Sequence, residues 1–153
     1  MSVSQEEIEC RIATFTEACR SAGIRMTHQR MEIFKEVAKT DEHPAVETIY
    51  NRVRRKIPVI SLDTVYRTLT TLEKLGVVSR VYALCDRARF DAAPSPHHHF
   101  VCTQCGMIRD FSSTEADKLR IPSEVQSWGT MKSVHVEVRA ICSKCASRKK
   151  DRN

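Results

Sequence analysis

Two pairs of cysteines carry the clearest chemistry in the chain: Cys102-Thr-Gln-Cys105, followed by Gly106, and Cys142-Ser-Lys-Cys145. A two-residue spacer lets a tight knuckle aim both sulfurs at one ion. Two knuckles supply the four thiolates that Zn2+ takes in a closed tetrahedron. Four protein ligands leave no open position, so a zinc held this way is structural. The competing chemistry is a pair of redox-active dithiols. A second set begins at Pro96-His97-His98-His99. On an extended strand His97 and His99 project to one face and His98 to the other. Asp91, Asp110 and His43 are further candidate ligands. Three imidazoles and two carboxylates would make a five-coordinate nitrogen and oxygen site. It would neutralise a divalent ion, leave room for a sixth ligand and suit Fe2+ or Mn2+, with Zn2+ a competitor. Spacing alone does not assemble these five, because His43 and Asp110 lie far apart in the sequence. Cys10, Cys19 and Cys85 read as core thiols.

The elements that must position these groups fall into two halves. Ser4 and Glu7 form a capping box, and Ile8, Ile12, Phe15 and Cys19 share one face of a first helix that stops at Gly23. Thr27 caps a second helix with Met31, Phe34, Val37 and Ala38 inward. A third runs from about Ala45 to Lys56 with Val46, Ile49, Tyr50 and Val53 inward, entered by Pro44 and ended by Pro58. Ser61 caps a fourth, ended by Gly76, with an apolar stripe of Val65, Leu69, Leu72 and Leu75. Thr64, Arg67, Thr68 and Thr71 are expected on its opposite face. Strand-like pieces follow at Val77–Tyr82 and Ala88–Phe90. Helix, turn, helix and hairpin is the order of a winged helix-turn-helix, whose second helix enters the major groove.

After Asp91 the character changes. The stretch AAPSP (Ala92–Pro96) reads as a hinge. Beyond it lie strand-like pieces at His98–Val101 and Met107–Phe111, a short helix near Thr114–Leu119, and a last strand. In that strand Val134, Val136, Val138 and Ala140 alternate with His135, Glu137, Arg139 and Ile141. The expected class is α+β: a winged-helix DNA-binding domain over 1–90, a hinge over 91–97, and an α/β metal-binding domain over 98–153. A unit of this second size needs a staple, a partner or both.

Composition agrees. The chain has 153 residues, a net charge of +6, 41% hydrophobic and 29% charged residues, four Gly and five Pro. Collagenous, disordered and membrane-spanning classes are excluded. The polar, acidic start lacks a secretory signal, which places the chain in a reducing cytoplasm where thiols bind metal. The basic balance is compatible with nucleic acid, and the tail around Arg148 to Arg152 reads as a solvated end.

The segments Gly23 to Arg30 (GIRMTHQR), His43-Pro44, Ser61 to Leu69 (SLDTVYRTL), Arg89-Phe90-Asp91, the His97–His99 cluster and both cysteine pairs resemble the ferric uptake regulator family. The resemblance runs along nearly the whole chain. It implies a dimeric, metal-dependent transcription repressor and not an enzyme, with structural zinc on Cys102, Cys105, Cys142 and Cys145. Within the family the chain is most similar to the peroxide-sensing branch. That branch has a His before Pro, an Asp after Arg-Phe, two His flanking one residue and an Asp past the CxxCG. Here these are His43, Asp91, His97, His99 and Asp110, a regulatory site for Fe2+ or Mn2+ with His43 and His97 the candidates for oxidation. The iron-sensing branch usually has Glu where Asp91 and Asp110 stand. Pro96 and Val134 stand where relatives often carry His, which puts a third metal site in doubt.

The resemblance also implies contacts to an A/T-rich palindromic operator from Arg25, Tyr66 and Arg67, with Thr64 and Thr68 beside them. Peroxide is then the only small-molecule signal, and no membrane is involved. Three other readings remain: an iron-sensing repressor reversed by metal loss, a non-haem metalloenzyme, and a zinc-stapled interaction module without DNA. A zinc sensor is disfavoured because the regulatory set contains no Cys.

Overall fold

The computed structural model describes residues 3–82, 88–93, 95–131 and 133–150. Cys85 lies outside them. The chain forms two compact units, 1–95 and 96–153. No helix among the described residues is long and apolar enough to cross a membrane.

The first unit holds α1 (Gln5–Ser21), α2 (His28–Ala38), α3 (Val46–Arg54), α4 (Leu62–Lys74), β1 (Ser79–Tyr82) and β2 (Ala88–Asp91). Its caps are as the sequence predicts. The side-chain oxygens of Ser4, Thr27 and Ser61 accept from the amides of Glu7, Arg30 and Thr64. The expected capping box is only half made, because the Glu7 carboxylate turns to Arg11 at 2.6 Å. Gly23 and Gly76 take left-handed φ values of 65° and 71°. Each closes its helix by the same pair of bonds. Gly23 and Ile24 amides donate to Arg20 and Cys19 carbonyls, and Gly76 and Val77 amides donate to Glu73 and Leu72. The core gathers Phe15, Ile33, Phe34, Val37, Ile49, Val53, Val65, Leu69, Leu72 and Phe90. Phe15 stacks on Phe34 with ring centroids 4.3 Å apart. β1 and β2 pair antiparallel, Ser79 opposite Asp91 and Tyr82 opposite Ala88. This is a winged helix-turn-helix with α1 added in front.

Four expectations need correction here. Cys10, read as a core thiol, is exposed on α1. Thr68 is 7% exposed, so it sits on the buried flank of α4 and not on its open face. α3 begins at Val46 and ends at Arg54, two residues short of Lys56. α2 buries Glu32 and Glu36 beside its apolar stripe, which Lys35, Lys39 and Lys56 make tolerable by pairing with them.

The second unit holds β3 (His98–Cys102), β4 (Ile108–Phe111), α5 (Thr114–Asp117), α6 (Ser123–Ser127), β5 (Glu137–Ala140) and α7 (Ser143–Lys150). The sheet order is β4-β3-β5, with β4 antiparallel and β5 parallel to β3. The last strand is shorter than the Val134–Ile141 alternation predicts. Val136 leaves the ladder because its amide donates to Nδ1 of His98 at 3.2 Å, while its carbonyl accepts from His99. Val138 is 42% exposed and not inward. α7, which the sequence reading did not anticipate, carries the second cysteine knuckle into the basic end, and Arg148 on it is exposed as expected.

Candidate metal centres and nucleic-acid interface

The four-cysteine site is built by two turns. At the end of β3 the Cys102 amide donates to Met107 (2.8 Å) and the Gly106 amide to Cys102 (3.0 Å). Gly106, at φ 71°, allows that reversal. At the start of α7 the Cys145 and Ala146 amides both donate to the Cys142 carbonyl. The four sulfurs lie within 4.8 Å of one another, and Cys105 Sγ is 3.8 Å from Cys142 Sγ. Four thiolates about 2.3 Å from a tetrahedral zinc stand about 3.8 Å apart, so the spacing fits the ion. It is well outside a disulfide bond, so these sulfurs stand as free thiols. Amide donors from Cys105 and Cys142 pull the Cys102 thiol down to about 6. The Cys145 thiol is pushed up to about 12, first by its hydrogen bond with Cys142 and then by burial. A thiolate and a retained proton in one nest are what a divalent cation would resolve.

Each unit gathers part of the expected nitrogen and oxygen donor set. In the second, β3 and β4 pair with His99 opposite Asp110. His97 Nε2 is 3.0 Å from His99 Nε2, and Asp110 Oδ1 is 3.5 Å from His99 and 3.9 Å from His97. Two nitrogens bound side by side to one ion at about 2.1 Å stand about 3 Å apart. His98 points the other way, as the strand period requires. It is buried, takes the Val136 amide on Nδ1, and brings Nε2 to 3.2 Å from Asp117.

In the first unit an isolated bridge joins Ala45 to Arg89, and the Phe90 amide donates to Pro44 at 3.1 Å. This lays the loop before α3 along β2. His43 and Asp91 then offer ligand atoms within 4.8 Å of one another, both buried. His43 has φ 51°, the one non-glycine left-handed residue among those described. The Asp91 carboxylate also accepts from the Ala93 amide at 2.9 Å. Sequence reasoning missed Arg11, which is 2% exposed. Its guanidinium donates to Ala38 O at 2.9 Å and meets Asp41 at 3.1 Å, anchoring the loop two residues before His43. The only signal was an arginine set within an apolar stripe.

On α4, Tyr66 is 47% exposed and Arg67 81%. Thr64 bonds Ser61 Oγ at 2.9 Å. A polar groove runs between the first turn of α2 (Thr27, Gln29, Arg30) and α4 (Thr64, Arg67, Thr68, Thr71). Arg25 is exposed ahead of α2, its carbonyl held by the Arg30 guanidinium.

Residues 21–146 match the model of the Ferric uptake regulator family. The chain belongs to that family. The peroxide-responsive repressor PerR of Staphylococcus aureus (strain Mu50) is 29% identical over 145 residues, 95% of this chain and 98% of that protein. The Helicobacter pylori ferric uptake regulator Fur, a structure with three functional metal binding sites, superposes with a TM-score of 0.72 at 25% identity. The match covers 91% of this chain and 93% of that one. PerR from Streptococcus pyogenes gives a TM-score of 0.51 at 27% identity, covering 95% of each chain. This member of the ferric uptake regulator family is a metal-dependent, DNA-binding transcription regulator, not an enzyme.

Proposed function

We propose that the chain is a homodimeric repressor that senses hydrogen peroxide through a regulatory Fe2+ or Mn2+, in the cytoplasm, at A/T-rich palindromic operators. Cys102, Cys105, Cys142 and Cys145 hold structural zinc. His43, Asp91, His97, His99 and Asp110 hold the regulatory ion, and Arg25, Tyr66, Arg67 and Thr64 meet DNA. Thr68 supports that contact from the floor of the groove. Dimerisation falls to the second unit, where Val138 and Ile141 stand exposed on and beside the edge strand β5.

The observation that carries the reading is the donor chemistry. His97, His99 and Asp110 converge within 3.9 Å in the second unit, and His43 with Asp91 in the first. All are nitrogen or oxygen, which suits Fe2+ and Mn2+ over thiol-seeking ions. Both acids are Asp, as the resemblance to the peroxide-sensing branch implies, and the S. aureus relative is a peroxide-responsive repressor. Bound ferrous iron supplies one-electron reactivity toward peroxide, and manganese does not. His43 and His97 then act as ligands and as targets: one imidazole gains one oxygen atom from hydrogen peroxide, whose other oxygen leaves as water. The modified ring binds metal poorly, and the DNA-competent state loses its support.

The test is anaerobic loading with Fe2+, a brief low dose of hydrogen peroxide, peptide mass spectrometry and DNA binding, beside a Mn2+ control. The expected result is a single-oxygen adduct on the His43 or His97 peptide, in the iron sample alone, with loss of binding. A second reading, an iron sensor reversed by metal loss, draws on the higher TM-score to H. pylori Fur. Intact histidines, with DNA binding that tracks free Fe2+, would select it.

A further inference from the structure

The first two turns of the open face of α4 carry a single acid, while Glu73 at the far end is paired with Arg80 at 2.7 Å. Asp63 is 75% exposed and its carboxylate lies 3.7 Å from the guanidinium of Arg67, one turn on and itself 81% exposed. Leu62, Tyr66 and Thr70 are exposed on the same face and carry no charge. A carboxylate on a surface that approaches a polyanion is repelled by every phosphate it nears. Helix stability is a weak reason to keep it. The α4 N-terminus is already capped, with Ser61 Oγ accepting from the Thr64 amide at 3.1 Å. An exposed ion pair one turn apart contributes little.

We infer that Asp63 is a specificity-determining residue, reading with Arg67 a cytosine beside a guanine in the major groove. The inference rests on α4 being the reading helix proposed above. In that groove cytosine presents an N4 amine with no acceptor beside it, so a carboxylate accepts there without opposition. Adenine sets N7 next to its amine and repels the second carboxylate oxygen. Guanine presents O6 and N7, the acceptor pair an arginine takes bidentately. Unbound, Asp63 and Arg67 satisfy each other. Bound, the pair opens only where an amine and a guanine edge stand together. At any other step the carboxylate is pressed against phosphates with no donor of its own. Asp63 therefore acts mainly by making wrong sites worse.

The test uses the full Mn2+-loaded chain and the variants Asp63→Ala and Asp63→Asn. Each selects sites from a random duplex library, and Kd is then measured on the selected site and on an unrelated duplex at one salt concentration. For Asp63→Ala the unrelated duplex binds more tightly. The ratio of selected to unrelated affinity falls about tenfold, the worth of one base readout. One cytosine per half-site vanishes from the motif. For Asp63→Asn that position shifts toward adenine, whose N6 and N7 a carboxamide reads. A helix-stabilising role alone moves neither the motif nor the ratio. Variants that keep the wild-type motif and ratio overturn this inference and leave α4 as the reading helix. A wild-type chain that selects no motif overturns both.

Discussion

Cys102 is the residue on which the second unit depends most. It is fully buried at the end of β3, and its sulfur accepts the Cys142 amide at 3.3 Å. Cys102→Ser puts a poor zinc ligand in that place. Metal analysis should show zinc falling from about one per chain toward none, and the dispersed amide resonances of 96–150 should collapse, because structural zinc supplies about 10–16 kcal/mol of apparent folding energy. Cys10→Ser, at an exposed site on α1, should leave both readouts unchanged. Arg11 matters in a different way. Arg11→Met deletes two ion pairs and the bond to Ala38 O. The first unit should lose about 2 kcal/mol in urea unfolding. Arg11→Lys should recover only part of it, since an ammonium lacks the fork that reaches three partners.

At the scale of the element, helix ends and helix faces give separate predictions. Gly23→Ala and Gly76→Ala meet no atom within 4 Å but keep a left-handed φ. Each should cost about 1 kcal/mol from conformation alone, read as a lower Tm. Gly129→Ala has equal room and no such φ, and should be neutral. Lys56, just past the end of α3, donates to Glu32 on α2 at 2.7 Å. That bond, foremost, holds the Glu32 carboxyl below its ordinary range and Lys56 above its own. A lowered acid contributes fully above the ordinary Glu value near about 4.3 and loses the contribution as pH falls through its native value. A raised lysine contributes fully below about 10.4 and loses it as pH climbs past its native value. The pair should thus stabilise evenly across neutral pH. Lys56→Met should lose about 1 kcal/mol at pH 7, Lys56 being half exposed, and the gap to wild type should shrink once pH falls below the ordinary Glu value of about 4.3. Melts at both pH values check it.

These same elements show how far the sequence could be read. Caps, glycine stops and apolar stripes are local signals, so α1 to α4 and the wing were legible. Glu32 and Glu36 were not, because their burial depends on lysines up to 24 residues away. α6 and α7 are short and polar and have no stripe. The truncation of β5 depends on His98, a residue 38 positions earlier. The cysteine knuckles were legible from spacing alone. The oxygen and nitrogen donors were not, since the register that sets His99 opposite Asp110 is a property of strand pairing.

For the whole molecule, the DNA reading predicts a separation of binding from folding. Tyr66→Ala with Arg67→Ala removes side chains that are largely in solvent. Circular dichroism and Tm should stay within experimental scatter, while specific operator binding in a salt titration is lost. Burial within the chain is uneven. The main apolar core lies wholly in the first unit. In the second, among the described residues, Val101 and Ile108 are the only buried hydrophobic side chains besides Cys102 and Cys142. One polypeptide therefore has two stabilities with different controlling variables. By mass action, a tenfold rise in free zinc should add about 1.4 kcal/mol to the second unit once zinc exceeds its Kd. It should add nothing to the first. Under zinc starvation the second unit, to which the proposed dimerisation falls, should be lost first, leaving single winged helices that are still folded but too weak, one half-site at a time, to hold an operator.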